Sequence, residues 1–438
     1  MNEAKRSSSL WRQSNFMKLW TAQTISQFGT QVTLLALPLA AVLVLDATPF
    51  QVGLLTTLEY LPFLLIGLPA GVWVDRLPRR PILIAGDMLR AVTLGSVPIA
   101  YQMGVLSMTQ LYVVALLTGV GTVFFDIADQ AFLPSLVGRD RLVQANGRLE
   151  MSRSGAQLAG PGIAGFLVEW VRAPMAIALD AVSYVLSALF LAAIPRTKGQ
   201  ASRAGAGRRS MRAEIREGLR YVFRHPLLLP IAGCTATSNL FSSMLLAVLI
   251  LFAIRELGLS PGEIGIIFAI GNVGFLVGAV VAARVAKVLG LGRAIVGCAM
   301  VFGASNLLIP VASSSTAAPL LIGAMFLMGL GGTAYNVNQV SLRQAITPEK
   351  ILGRMNATMR FLVWGTMPIG AFVGGILGNT LGLRPTVWVA AIGGTLAFIP
   401  PLLSPVRSLQ RVPDIEPSPG AVATPPRSLQ APSDVAAP

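Results

Sequence analysis

The side chains able to move a proton or hold a charged cargo stand in an unusual place, inside long apolar runs. Glu59 lies twelve residues before Gly71, about 18 Å along a helix, in a nearly uncharged stretch that begins at Val52. A carboxylate at such depth is costly unless paired or wet, which makes it a candidate proton carrier; the alternative is a rim residue reached by water. Asp126 and Asp129 fall one turn apart on one helix face, Asp126 eight residues, about 12 Å, before Pro134. Asp126 is the second proton-coupling candidate, and Asp180 reads as a structural hydrogen-bond partner. Between two apolar runs a knot of charge, Gly71, Asp75, Arg76, Arg79 and Arg80, forces a tight turn. Asp75 ends a helix where it could meet another helix's N-terminal dipole. The arginines could pair with a carboxylate on the fourth run, Asp126 being the partner expected.

Amides form a second set. Gln23, Gln27 and Gln31 recur at steps of four, and Thr235, Ser238, Asn239, Ser242, Ser243, Asn272, Asn336, Asn338 and Gln339 answer them in the second half of the chain. Such a stripe lines a cavity or joins helices as hydrogen-bonding glue. Trp364 could stack on an aromatic substrate or simply pack. Cys234 and Cys298 have no CxxC or Cys/His companions, and the single histidine, His225, sits at a predicted helix start, so no disulfide, metal or cofactor is expected.

Positioning these groups takes membrane-spanning helices. Of 438 residues 54% are apolar and 12% charged, and the mean hydropathy is +0.68, which a soluble domain could not sustain. Twelve apolar segments, each near the ~20 residues that cross a bilayer, group as six and six. The net charge is +15, and 31 of the 34 Lys and Arg fall on or near one side, leaving Arg172, Arg255 and Arg384 to the other. That asymmetry places both termini in the cytoplasm of a cell whose inner (plasma) membrane holds the chain. No basic face interleaved with aromatics points to nucleic acid. The expected organisation is an N-terminus over 1–18, a six-helix half over 19–194, a basic linker over 195–224, a second half over 225–404 and a disordered tail over 405–438. The linker holds nine basic and two acidic residues, and Met211–Phe223 within it reads as a surface helix. A shift of 210 residues lays Asp126 on Asn336, Asn146 on Asn356, Gly155 on Gly365, Gly160 on Gly370 and Gly165 on Gly375. A shift spanning six helices preserves orientation, so the halves are parallel repeats that meet at a central site.

Several motifs carry a resemblance. Gly71, Asp75, Arg76, Arg79 and Arg80 resemble the loop signature between helices two and three of the major facilitator superfamily, with a weaker echo in Gly278, Arg284, Lys287, Gly292 and Arg293. Gly147, Ala156, Gly160, Pro161, Ala164 and Gly165 resemble that superfamily's antiporter motif on helix five, two glycines being replaced by alanine. Phe125, Asp126, Gln130, Ala131 and Pro134, with Thr347, Pro348, Gly353, Arg354 and Asn356, are similar to the branch containing macrolide-efflux proteins and the enterobactin exporter. The resemblance implies an all-α fold of twelve helices. It also implies a cytoplasmic gate built from Gly71, Asp75, Arg76, Arg79, Arg80, Asp126 and Asp129, and a cavity lined by helices one, four, seven and ten. Trp73 and Pro78 depart from the loop signature, and Thr30-Gln31 stands where many relatives carry an acid.

Neutral amides and apolar surface suit a small amphiphilic substrate, neutral or weakly cationic. With no Walker-type glycine loop, a gradient must supply the energy. The expectation is a monomeric efflux transporter in a lipid bilayer that exchanges drug-like or secondary-metabolite molecules for protons. A symporter or uniporter on the same fold, a membrane enzyme, and a non-transporting scaffold or sensor are the alternatives. The antiporter motif argues against the first, and the lone histidine and separated cysteines against the second.

Overall fold

The computed structural model describes residues 10, 13–138, 141–195 and 211–411, and among them there is no strand. The helices of the first half are α1 (Ser14–Leu43), α2 (Pro49–Leu65), α3 (Gly67–Arg76), α4 (Arg79–Gln102), α5 (Met108–Val137), α6 (Leu142–Val171) and α7 (Ala173–Ala192). After α8 (Met211–Arg224) come α9 (Leu228–Arg255), α10 (Pro261–Gly271), α11 (Val273–Leu289), α12 (Leu291–Ser305), α13 (Leu308–Val311), α14 (Ala317–Ala345), α15 (Glu349–Trp364), α16 (Thr366–Thr380), α17 (Leu383–Thr395) and α18 (Ile399–Leu402). The surface helix expected in the linker is α8. Linker residues 196–210 and tail residues 412–438 lie outside the described residues.

Among the described residues ten spans are long and apolar enough to cross a membrane. The other two expected segments are helical but fall short of that measure. One is split into α2 and α3, of 17 and 10 residues; the other, α6, carries Arg148, Glu150, Arg153 and Glu169. Proline sets most of the breaks. Pro69, Pro310 and Pro368 lack the N–H that would bond the carbonyls of Leu65, Asn306 and Trp364, and the rods break at Ile66, at Asn306–Leu307 and at Gly365. The α10–α11 break has no proline: there the Asn272 amide donates to the Gln157 carbonyl of α6, 2.6 Å away.

The two halves pair their helices alike. In the first, α1 packs on α6 and α7, α4 on α5 and α7, and α2 on α5; in the second, α9 packs on α16 and α17, α12 on α14 and α17, and α10 and α11 on α14. Large apolar side chains such as Val92, Leu189, Val280 and Leu396 are exposed, as expected where the solvent is lipid. The ends of α3, α5 and α7 share a face with α8, which we call the basic face. Arg172, Arg255 and Arg384 cap helices at the opposite face.

Near that opposite face the halves touch most closely, through α2 on α16 and α6 on α10. Each contact is made by glycines. A methyl group on Gly53 would lie 2.5 Å from Gly375 Cα, and one on Gly165 would lie 2.9 Å from Gly265 Cα. Only residues without a side chain allow backbones that close. An ion pair also joins the halves there, Arg255 to Asp46 at 2.5 Å. Toward the basic face α11 packs against α14 and α12 of its own half, the halves meet more sparsely, through α2 and α3 on α15, and a cavity opens.

Candidate transport site

The cavity of about 850 Å³ on the basic side is built from α1, α4, α5, α6, α7 and α15. Helical periodicity turns Gln23, Gln27 and Thr30 of α1 into it, with Asp126, Asp129 and Gln130 of α5 beside them. Arg153 and Glu150 enter from α6, and Arg360 and Trp364 from α15. Gln23 donates to Asp129 at 2.5 Å. The Arg360 guanidinium lies 4.9 Å over the Trp364 ring, which also packs on Phe63 at 5.0 Å. A neutral, amide-lined cavity was the expectation. The structure corrects it: Arg90, Arg153, Arg360, Asp126, Asp129 and Glu150 all line this space.

Arg90 was not anticipated as part of any site. On α4 it pairs with Asp87 one turn earlier at 2.5 Å, and the second Asp87 oxygen accepts the Ser187 hydroxyl at 2.6 Å. The guanidinium is sandwiched between Phe125 at 4.5 Å and Tyr184 at 4.2 Å. Asp87 is fully buried and Arg90 is 5% exposed, so the pair forms the dry wall of the cavity. Its signal was present in the sequence: an acid and a base three apart inside an apolar run must face one another.

The charged turn also differs from expectation. Arg80 donates to the Leu191 carbonyl at 3.0 Å and to that of Ala192, and Lys18 donates to Ala193 at 2.8 Å. These cations satisfy the C-terminal carbonyls of α7 and are held by its dipole, not by a carboxylate. Asp126 instead lies in the field of Arg90, Arg360 and Arg153. Arg79 has no hydrogen bond or ion pair among the described residues, and the side chains of Asp75 and Arg76 lie outside the description. Gly71 lines a second space, of about 400 Å³, beside Arg360 and Trp364, with nothing pressed against its Cα.

Of the predicted cavity amides, several join helices. Asn338 is buried and donates to the Ala282 carbonyl of α11 at 3.3 Å, so it is glue between α11 and α14. Asn239 likewise donates to the Val363 carbonyl of α15 at 3.1 Å, whereas Gln339, also buried, bonds within α14, donating to Asn336 at 2.9 Å. Asp180, buried, accepts from Thr33 and from Ser183 at 3.0 Å, the hydrogen-bonding place expected of it. Among the antiporter-motif residues, Ala156 and Ala164 are fully buried. A methyl on Gly160 would strike the Gln31 side chain at 2.4 Å, whereas Gly147 faces open space. His225 lies outside the spans, its Nδ1 accepting from the Leu227 N–H at 3.2 Å; burial holds its imidazole below the ordinary pKa.

Toward the opposite face lies a separate pocket of about 250 Å³, lined by Gln31, Pro161 and Asn272 together with Glu59 and apolar side chains of both halves. The Glu59 backbone packs on Gly119 of α5, where a methyl would come within 2.4 Å of its carbonyl oxygen. Glu59, half-buried, thus lines a pocket contributed by both halves.

Comparison with known proteins accords with this architecture. Residues 7–425 match the family described as transmembrane secretion effector. The multidrug efflux pump Tap of Mycolicibacterium fortuitum is 26% identical over 394 residues, 85% of this chain and 93% of that protein. Macrolide efflux protein A of Streptococcus pyogenes is 23% identical, covering 90% of this chain and 97% of its own length. Among solved structures, a bacterial homologue of the iron transporter ferroportin in an inward-facing state superposes with a TM-score of 0.70 at 19% identity, over 90% of this chain and 99% of that one.

Proposed function

Since the chain belongs to the transmembrane secretion effector family of major facilitator transporters, we propose that it exports small amphiphilic molecules by alternating access, in exchange for protons. The chain is a multi-pass membrane transporter and not an enzyme. The observation that supports the export reading is an asymmetry: glycine contacts join the halves near the opposite face, while on the basic side a cavity of about 850 Å³ lies mainly within the first half and is flanked by Arg360 and Trp364 of the second. That volume lies within the range of drug-sized binding sites. Positive charge on the basic face supports a cytoplasmic orientation in the plasma membrane, so the open cavity would load from the cytoplasm. The efflux roles of the relatives Tap and macrolide efflux protein A favour drug-like cargo. Asp126, which lines the open cavity, is the carboxylate we assign to proton exchange as the cavity changes sides, with Arg90, Arg153 and Arg360 near enough to hold its ionised form.

The test uses purified protein in liposomes with an imposed pH gradient. A fluorescent amphiphile should move against the proton flux, and Asp126→Asn should bind it while losing gradient-driven movement. Cargo movement insensitive to the gradient in the wild type would overturn proton coupling.

A further inference from the structure

The pocket beyond Gln31 has a composition unlike the cavity on the basic side. Leu34, Leu35, Leu246, Leu249, Ile250 and Phe268 give it an apolar wall contributed by both halves, and no Lys, Arg or His lines it. Set into that wall is one carboxylate, Glu59, which makes no hydrogen bond or ion pair among the described residues. A second polar group is left over in the same lining. The Ser243 hydroxyl is buried, 2% exposed, and has no partner. Of the other polar side chains in the lining, Thr56 donates to the Val52 carbonyl at 3.1 Å and Asn272 to Gln157, while Gln31 and Tyr60 stand beside Glu59 as uncharged groups.

Two unsatisfied oxygens in an apolar cup specify their ligand. The Ser243 oxygen is buried without a donor, a costly arrangement, and Glu59, half-buried in an apolar wall, is a carboxylate with no cation in the lining. The complement is a group that brings positive charge, N–H donors and an apolar body together. An anion is excluded by Glu59, and a strongly hydrated inorganic cation finds too few oxygens to replace its water.

We infer that Glu59 and Ser243 form the recognition site for the protonated amine of a lipophilic cargo, the amine sitting on the Glu59 carboxylate and its apolar body against α1, α9 and α10. This names the substrate class of the exporter and so rests on the export reading. The site lies between the glycine seams and the open cavity, where cargo entering from the basic side would arrive after shedding water.

Equilibrium binding to purified protein in detergent tests this without any gradient. The probes are propranolol, a lipophilic protonated amine, and Nile red, a neutral amphiphile. Glu59→Gln should weaken propranolol binding at least tenfold, as expected when a charge-assisted contact is lost, and leave Nile red within about twofold. Glu59→Asp should restore most of the propranolol affinity. Ser243→Ala should weaken propranolol severalfold and keeps the fold testable should the glutamate variants unfold. Absence of propranolol binding to the wild type, equal loss of both probes in Glu59→Gln, or unchanged affinity in Glu59→Gln and Ser243→Ala each overturns the assignment. The outcomes separate from those of the liposome assay: selective binding without gradient-driven movement would leave the site standing and remove proton-coupled export.

Discussion

Arg90→Met is expected to be among the most destabilising single substitutions in the membrane domain, and the structure says why. It would strip Asp87, fully buried, of the one ion-pair partner it has among the described residues and leave it the Ser187 hydroxyl there. Removing one member of a buried ion pair costs about 3–5 kcal/mol, because the survivor keeps its desolvation penalty. Asp87→Leu is expected to cost less, about 2–3 kcal/mol. Arg90 would still lie between the Phe125 and Tyr184 rings and in the field of Asp126, and a desolvated ring contact can contribute about 2 kcal/mol.

The double variant Asp87→Leu/Arg90→Met distinguishes a pair from two independent residues. Replacing both charges with apolar side chains of similar volume removes the penalty along with the attraction. The double should therefore fall within about 1–2 kcal/mol of the wild type, well short of the summed single effects. Detergent-induced unfolding in mixed micelles supplies the free energies by linear extrapolation. A cost below about 1 kcal/mol for Arg90→Met, or a double variant equal to the sum, would refute the claim that the two charges are held for one another. Because Arg90 also lines the open cavity, the stable double variant should still transport poorly, which separates its structural from its functional contribution.

Two further outcomes concern the seal. Gly165→Leu would place a methylene 2.5 Å from the Pro261 carbonyl oxygen and 2.9 Å from Gly265 Cα. Backbone cannot give way as a side chain can, so spin labels at the opposite-face ends of α6 and α10 should report a longer distance than in the wild type, and an unchanged distribution would show that the seam is not the closing contact. Arg255→Ala should act weakly: Asp46 is 94% exposed in its side chain, a surface pair contributes about 0–1 kcal/mol, and the closed-to-open ratio should change less than about fivefold in the same measurement.

How much of this was legible before any coordinates depends on the kind of information. The repeat was legible because glycine spacing survives where side chains do not: the shift that lays Gly165 on Gly375 pairs two residues that do the same work, each meeting a glycine of the other half. The breaks were readable in principle from Pro69, Pro310 and Pro368. Partners were not. Arg80 and Asp126 have opposite charges and suitable positions, but α7 ends beside Arg80, and its free carbonyls capture the guanidinium. The amides failed for a related reason. A polar residue on a helix reports which face is polar, not whether that face meets water or a neighbour, and only packing shows that Asn338 meets α11.

The two compartments divide the labour of recognition in a way that neither would suggest alone. The open cavity carries three cations and three carboxylates, among them Arg153, Arg360 and Glu150, so a polar cargo can enter with much of its water replaced rather than lost. Groups that face solvent in that space, such as Glu150 and Arg153, discriminate weakly, since solvent screens them; buried Arg90 is the exception. The small pocket has the opposite physics, for its wall is apolar and Glu59 and Ser243 lack partners. Each contact there is made at low dielectric, and each mismatch leaves an oxygen unsatisfied. On the proposed export reading, selectivity belongs to the drier end of the path, and the charged cavity is where cargo first arrives.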